Sequence, residues 1–141
     1  MATVWKVANG LRVPFTALVT RREPEVSVQP FTGRAPLHGD DRRARGGGYR
    51  LYPLVRFDPQ HALKVYYVEI DSGVTLHADP HQGNTQEHVF VPRGPISVTV
   101  DRTTQMVQAE HEIRFPANCP HGYHNPGPEM ATAMMLISYL S

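Results

Sequence analysis

Disulfides are the first thing this sequence lacks. Its single cysteine, Cys119, excludes an intrachain disulfide and suits a reducing compartment. A dominant charge is missing too: 14 Lys and Arg stand against 13 Asp and Glu, a formal net charge of +1, so no overall basic field drives nucleic-acid binding by itself. No N-terminal apolar run reaches signal-peptide or membrane-spanning length, and no internal repeat or low-complexity tract is evident. From these absences we expect a soluble, cytoplasmic protein with no membrane partner. The 141 residues give room for one ordinary domain and not two, and 40% hydrophobic content can fill one core.

What the chain does have is turn chemistry. Thirteen prolines and 11 glycines, with β-branched and aromatic residues between them, favour many short strands over a helical bundle. The main body therefore reads as all-β. The first twenty residues differ: Val4, Val7, Ala8 and Leu11 recur at helical spacing behind a possible N-cap, Thr3, and Pro14 suits the start of a second short helix, so two linked helices are predicted over 3–19. Alternation begins at Glu25, and 26–31 reads as a strand. The stretch 32–48, with four arginines, two aspartates and three consecutive glycines, reads as a flexible loop to which we assign no function. Further strands are predicted at 49–57, 64–70, 87–92, 96–100, 106–109, 112–115 and 132–140, with turns such as Asp71-Ser-Gly73 and Asn125-Pro-Gly-Pro128 between them. Such close spacing points to a sandwich or barrel rather than a parallel α/β sheet.

Six of the eight histidines fall between His77 and His124. In Glu87-His-Val-Phe-Val91 alternation puts Glu87 on one face with Val89 and Val91, and His88 and Phe90 on the other. A carboxylate on an apolar face must meet a metal, an arginine or a hydrogen-bond donor. Joined by His81 and His121 it would make a site suited to Zn, Fe, Mn or Ni. From the residues alone, His81 also reads as an exposed loop histidine after Pro80, and His121 as a turn histidine after Pro120.

The segment from Gly73 to Gly94 resembles the first motif of the cupin superfamily, G(x)5HxH(x)3-4E(x)6G. Gly73, His81, Glu87 and Gly94 fall into place; Asp79 stands where the first histidine is expected, and the gap from His81 to Glu87 is one residue longer than the pattern. The segment from Glu110 to Asn125 resembles the second motif, G(x)5PxG(x)2H(x)3N, through Pro116, His121 and Asn125, with Glu110 and Asn118 replacing the glycines. The resemblance implies a double-stranded β-helix, or jelly-roll barrel, over 21–141, with Asp79, His81, Glu87 and His121 around one divalent transition metal. The long spacing leaves two alternatives: His77 faces inward, or the pocket is metal-free and the same groups hydrogen-bond an organic ligand. Tyr67, Tyr123 and Asn125 are further candidates to line the pocket, the tyrosines as proton donors or as core aromatics. The Cys119 thiol reads as buried and free.

Residues Thr3 to Leu18 resemble the closing helices of the Xre-type helix-turn-helix domain that precedes a cupin sensor in many bacterial regulators. Arg50 to Pro59 and Leu136 to Tyr139 are similar to the sensor half. The reading is thus a helical remnant over 1–20 and a cupin barrel over 21–141. A groove-reading helix pair would precede Thr3, so DNA is expected as a partner only when such a helix-turn-helix is supplied upstream. The resemblance implies a regulator's sensor module with a small-molecule effector and a homodimeric state. Alternatives are a stand-alone metal-dependent oxygenase or isomerase, and a dimerisation platform with a vestigial pocket.

Overall fold

The computed structural model describes residues 24–40 and 47–140. The helices predicted over 3–19 lie outside the described residues. The described chain forms strands β1 (Leu37–Asp40), β2 (Gly48–Asp58), β3 (Leu63–Ile70), β4 (Thr75–Ala78), β5 (Asn84–Arg93), β6 (Ile96–Val100), β7 (Thr103–Val107), β8 (His111–Pro116), β9 (His121–His124) and β10 (Ala131–Leu140). They make two antiparallel sheets: six strands in the order β1-β2-β3-β10-β5-β8, and four in the order β4-β9-β6-β7. This is the all-β jelly roll that the sequence predicts.

Alternation decides what lies between the sheets. Val89, Val91 and Phe115 from the large sheet, with Ala131, Ala133 and Met135 of β10, meet Leu76, Ile96, Val98 and Tyr123 from the small one. Each is buried, and along β5 and β6 the buried positions alternate with more exposed neighbours, whereas β9 and the start of β10 are buried on consecutive residues. The face shared by Glu87, Val89 and Val91 is the inner one, as the alternation of β5 requires. Gly94 shows why the first motif closes on glycine: a Cβ there would sit 2.9 Å from Val91 Cγ1 and 3.2 Å from the Ala109 backbone nitrogen, so only glycine lets the β5–β6 turn approach β7 and β8. Gly73, at φ 76°, makes the left-handed step before β4.

Four elements differ from the sequence reading. No strand forms over 26–31; Phe31–Gly33 makes a single 3-10 turn, and Val26 and Val28 are 84% and 97% exposed, so the alternation there has no apolar surface to face. Part of the stretch read as a loop is a strand, since β1 pairs with β2 from Leu37↔Leu51 to Asp40↔Gly48. β4 and β9 are not anticipated: at four residues each, one rich in turn-like neighbours and the other in histidine, they are too short to display a period.

Candidate functional site

Glu87 occupies the middle of β5, opposite Ile137 of β10 and Phe115 of β8, and points into the barrel with 2% exposure. His121 opens β9 opposite Ala78 of β4 and Val100 of β6, and its side chain is fully buried. His81 sits in the β4–β5 loop. Its backbone N–H donates to the Ala117 carbonyl at 2.9 Å, and the Ala117 N–H donates in turn to the Thr85 carbonyl, so the loop is pinned beneath the end of β8. The residue added between His81 and Glu87 is absorbed in this loop, where Gly83 adopts φ 73°. His81 therefore reaches the pocket in spite of the long spacing.

These three side chains converge. Glu87 Oε2 lies 3.2 Å from His121 Nε2 and 3.6 Å from His81 Nε2, and the three donor atoms all fall within 4.8 Å of one another. His121 Nδ1 lies 2.9 Å from the Cys119 carbonyl. A carbonyl only accepts, so Nδ1 carries the proton and, in the neutral ring, the Nε2 lone pair faces Glu87. Tyr123, 1% exposed, donates its hydroxyl to Glu87 Oε1 and leaves Oε2 turned toward the imidazoles. Among the described residues neither Glu87 Oε2 nor His121 Nε2 has a hydrogen-bond partner of good geometry, although both are buried. Burial pushes the Glu87 carboxyl up, but the two imidazoles, His121 before His81, outweigh it and hold the group below its usual range. Burial pulls His121 down, and the Glu87 carboxylate with the Cys119 carbonyl outweighs that, so the ring holds a proton more tightly than an ordinary histidine.

The donor set fits a metal. Two ligands about 2.1 Å from a tetrahedral ion stand about 3.4 Å apart. The 3.2 and 3.6 Å separations bracket that distance. Two imidazoles and a carboxylate also make the donor set of the facial triad that suits iron. An ion there would satisfy the two orphaned atoms.

The other sequence candidates lie elsewhere. Asp79 is exposed and outside the group. Leu76 and Ala78 face the pocket, so the neighbours that alternate with them, His77 and Asp79, turn outward. His77 is exposed and lines a separate depression on the outer side of the small sheet with Thr99 and His124. Tyr67 stacks on Tyr52 at 6.0 Å and packs against Phe31 on the outer side of the large sheet. Asn125 is fully buried, but its amide is spent on the Ile70 and Glu129 carbonyls and the Gly127 N–H, closing the turn before β10. Cys119 is only half-buried, with its thiol toward the Pro116 carbonyl; its own backbone, not its sulfur, serves the site. The reading missed Lys64 and Tyr66, which line the same chamber. The available signal was the one that flags Glu87: in β3, Lys64 shares a face with Tyr66, Val68 and Ile70.

Residues 66–138 match the cupin domain family. The chain belongs to that family. It is also similar over 139 residues, at 29% identity, to the helix-turn-helix-type transcriptional regulator SutR of Escherichia coli strain K12, a match covering 99% of this chain and 71% of the relative. Among solved structures, the cupin domain of an XRE-family transcriptional regulator from Enterobacter cloacae superposes with a TM-score of 0.63 at 22% identity, covering 66% of this chain and 98% of that one. A helix-turn-helix family regulator from Vibrio cholerae superposes with a TM-score of 0.62 at 22% identity, covering 99% of this chain and 72% of that one. At such identities the superpositions establish the cupin fold. The three proteins named are transcriptional regulators by name, and one of those solved structures is a cupin domain. Among the described residues no helix is long and apolar enough to cross a membrane.

Proposed function

We propose that this cupin is the sensing module of a cytoplasmic helix-turn-helix transcriptional regulator, and that it holds a divalent transition metal, with or without a small effector, at His81, Glu87 and His121. The observation that carries the regulator half is the similarity to SutR along 99% of the chain, which includes the stretch before the barrel as well as the barrel itself. The metal half is supported by donor spacing and by two buried atoms that lack partners. A bound ion would supply a fixed positive charge and a Lewis-acidic position for an effector. The protein's own part is to hold the donors ready: Tyr123 orients the carboxylate, the Cys119 carbonyl sets the His121 tautomer, and Ala117 anchors the His81 loop. Sensing is then a population shift, in which the effector binds one arrangement of the regulator better than another. The described residues hold no helix beyond one 3-10 turn, so DNA contact belongs to a helix-turn-helix segment outside them.

Elemental analysis of protein purified without metal-affinity resin tests the metal directly. Close to one equivalent per chain is expected, lost in Glu87→Ala; below about a tenth of an equivalent, the metal reading fails and an organic ligand takes its place. Turnover of small substrates by the loaded protein, abolished by the same substitution, would instead favour the stand-alone oxygenase or isomerase. We also propose a homodimer paired through the outer face of the large sheet, where Val55, Phe90 and Leu140 are 39%, 38% and 49% exposed. Sedimentation should give twice the 15.8 kDa chain mass, and a monomer would contradict the pairing.

A further inference from the structure

Lys64 lies in the same cross-strand row as Glu87. In the large sheet Lys64 of β3 pairs with Ile137 of β10, and Ile137 pairs with Glu87 of β5. Two strand spacings of about 4.8 Å set the two backbones roughly 10 Å apart. Both side chains line one chamber of about 170 Å3 whose remaining walls include Leu51, Leu76, Met135 and Ile137. The Lys64 ammonium lies 5.6 Å from the centre of the Tyr139 ring, and that ring packs edge-on against His81 at 6.4 Å, which keeps the cation at the triad's end of the chamber. Among the described residues Lys64 makes no ion pair. Tyr66, one strand position on from Lys64 on the same face, also lines the chamber.

We infer that the chamber takes a small organic monoanion, its charged head between Lys64 and the triad and a short aliphatic portion against the leucine, methionine and isoleucine walls. The inference rests on the pocket reading above and names its ligand class. The charge count supports it in either state of the triad. With a divalent ion, Glu87 and Lys64, the chamber carries an excess of positive charge; with a proton shared by Glu87 and His121 in the ion's place, Lys64 still leaves it positive. A site with apolar walls and excess positive charge favours an anion over a neutral or cationic molecule of the same shape. The chamber offers about 170 Å3 and opens to solvent, so a short-chain acid can lie against its apolar walls with its head at the charged end. Butyrate is such an acid.

The test is calorimetric titration of the purified full chain, zinc-loaded and zinc-stripped, with butyrate, n-butanol and n-butylamine. Butyrate is expected to bind at least about tenfold more tightly than butanol, with butylamine excluded, because only the carboxylate accepts a charged hydrogen bond from the Lys64 ammonium. Lys64→Met, which keeps the chamber's bulk, and Lys64→Gln should both bring butyrate down to the level of butanol while leaving zinc stoichiometry unchanged; Lys64→Arg should retain the preference. Equal binding of butyrate and butanol, or a preference that survives Lys64→Met and Lys64→Gln, overturns the inference. A preference that depends on Lys64 in protein that takes up no zinc when loading is attempted keeps the inference and removes the metal reading. Stoichiometric zinc without any preference does the reverse.

Discussion

Proton and metal compete for the same place on His121. Its Nε2 faces Glu87 Oε2 at 3.2 Å, and in the metal-free protein a proton between them relieves both buried atoms. A depressed Glu87 contributes stability above its ordinary value of 4.5 and loses that contribution as pH falls through the folded value. A raised His121 contributes below its ordinary value of 6.5 and loses that contribution as pH rises through its folded value. In the metal-free barrel the pair therefore contributes most between those two values. Metal binding must expel the proton, so affinity for zinc should climb with pH and keep climbing beyond 6.5, where an ordinary histidine has already lost its proton. Zinc titrations from about pH 5.5 to about pH 8.5 check this; an affinity that levels off at the ordinary histidine value contradicts it. Glu87 was legible in the sequence because one strand's alternation is enough to place it. His81 and His121 were legible only through their places in the two motifs and not from strand patterning, since their meeting depends on a loop pinned to Ala117 and on a strand of four residues. Asp79 and His77 were misplaced for a related reason: with β4 unread, nothing in the pattern showed that Leu76 and Ala78 take the inner face.

At the scale of elements, the edge of the large sheet is fastened by one arginine. Arg50 of β2 reaches Glu69 of β3 at 3.1 Å and Asp71 in the following turn at 2.9 Å, while Asp71 also accepts the Gly48 N–H at 3.0 Å. Hydrogen bonds to Asp71 and Glu69 outweigh the burial that would lower it, and hold the Arg50 guanidinium above its already high value; the same Arg50 bond and the Gly48 N–H hold Asp71 below the usual carboxylate range. All three side chains keep partial access to solvent, so the network contributes modestly. Arg50→Met should lower unfolding stability by about 1 kcal/mol in urea titrations and leave zinc stoichiometry unchanged, because the network lies on the outer side of the sheet. A loss of zinc in that variant would mean that the edge and the site are coupled. The long strands β2, β3, β5 and β10 were readable in the sequence because each spans several alternations. β1 was hidden among arginines and glycines, and its register with β2 is a tertiary fact that no local pattern encodes.

At the scale of the molecule, two sheets closing on one core bring together residues from β5, β9 and the β4–β5 loop that are separated by up to 40 positions. The class of fold followed from turn spacing and from the two motifs; the location of the site followed from closure. The metal reading at the centre of the proposed function depends on that closure presenting a carboxylate and two imidazoles to one ion. Zinc K-edge X-ray absorption on the loaded protein tests it most directly. The account predicts a first shell of nitrogen and oxygen at about 2.0–2.2 Å, with the outer-shell pattern of two imidazoles, abolished by Glu87→Gln. A sulfur neighbour at about 2.3 Å, which only Cys119 or a methionine could supply, or a shell unchanged by that substitution, would contradict it.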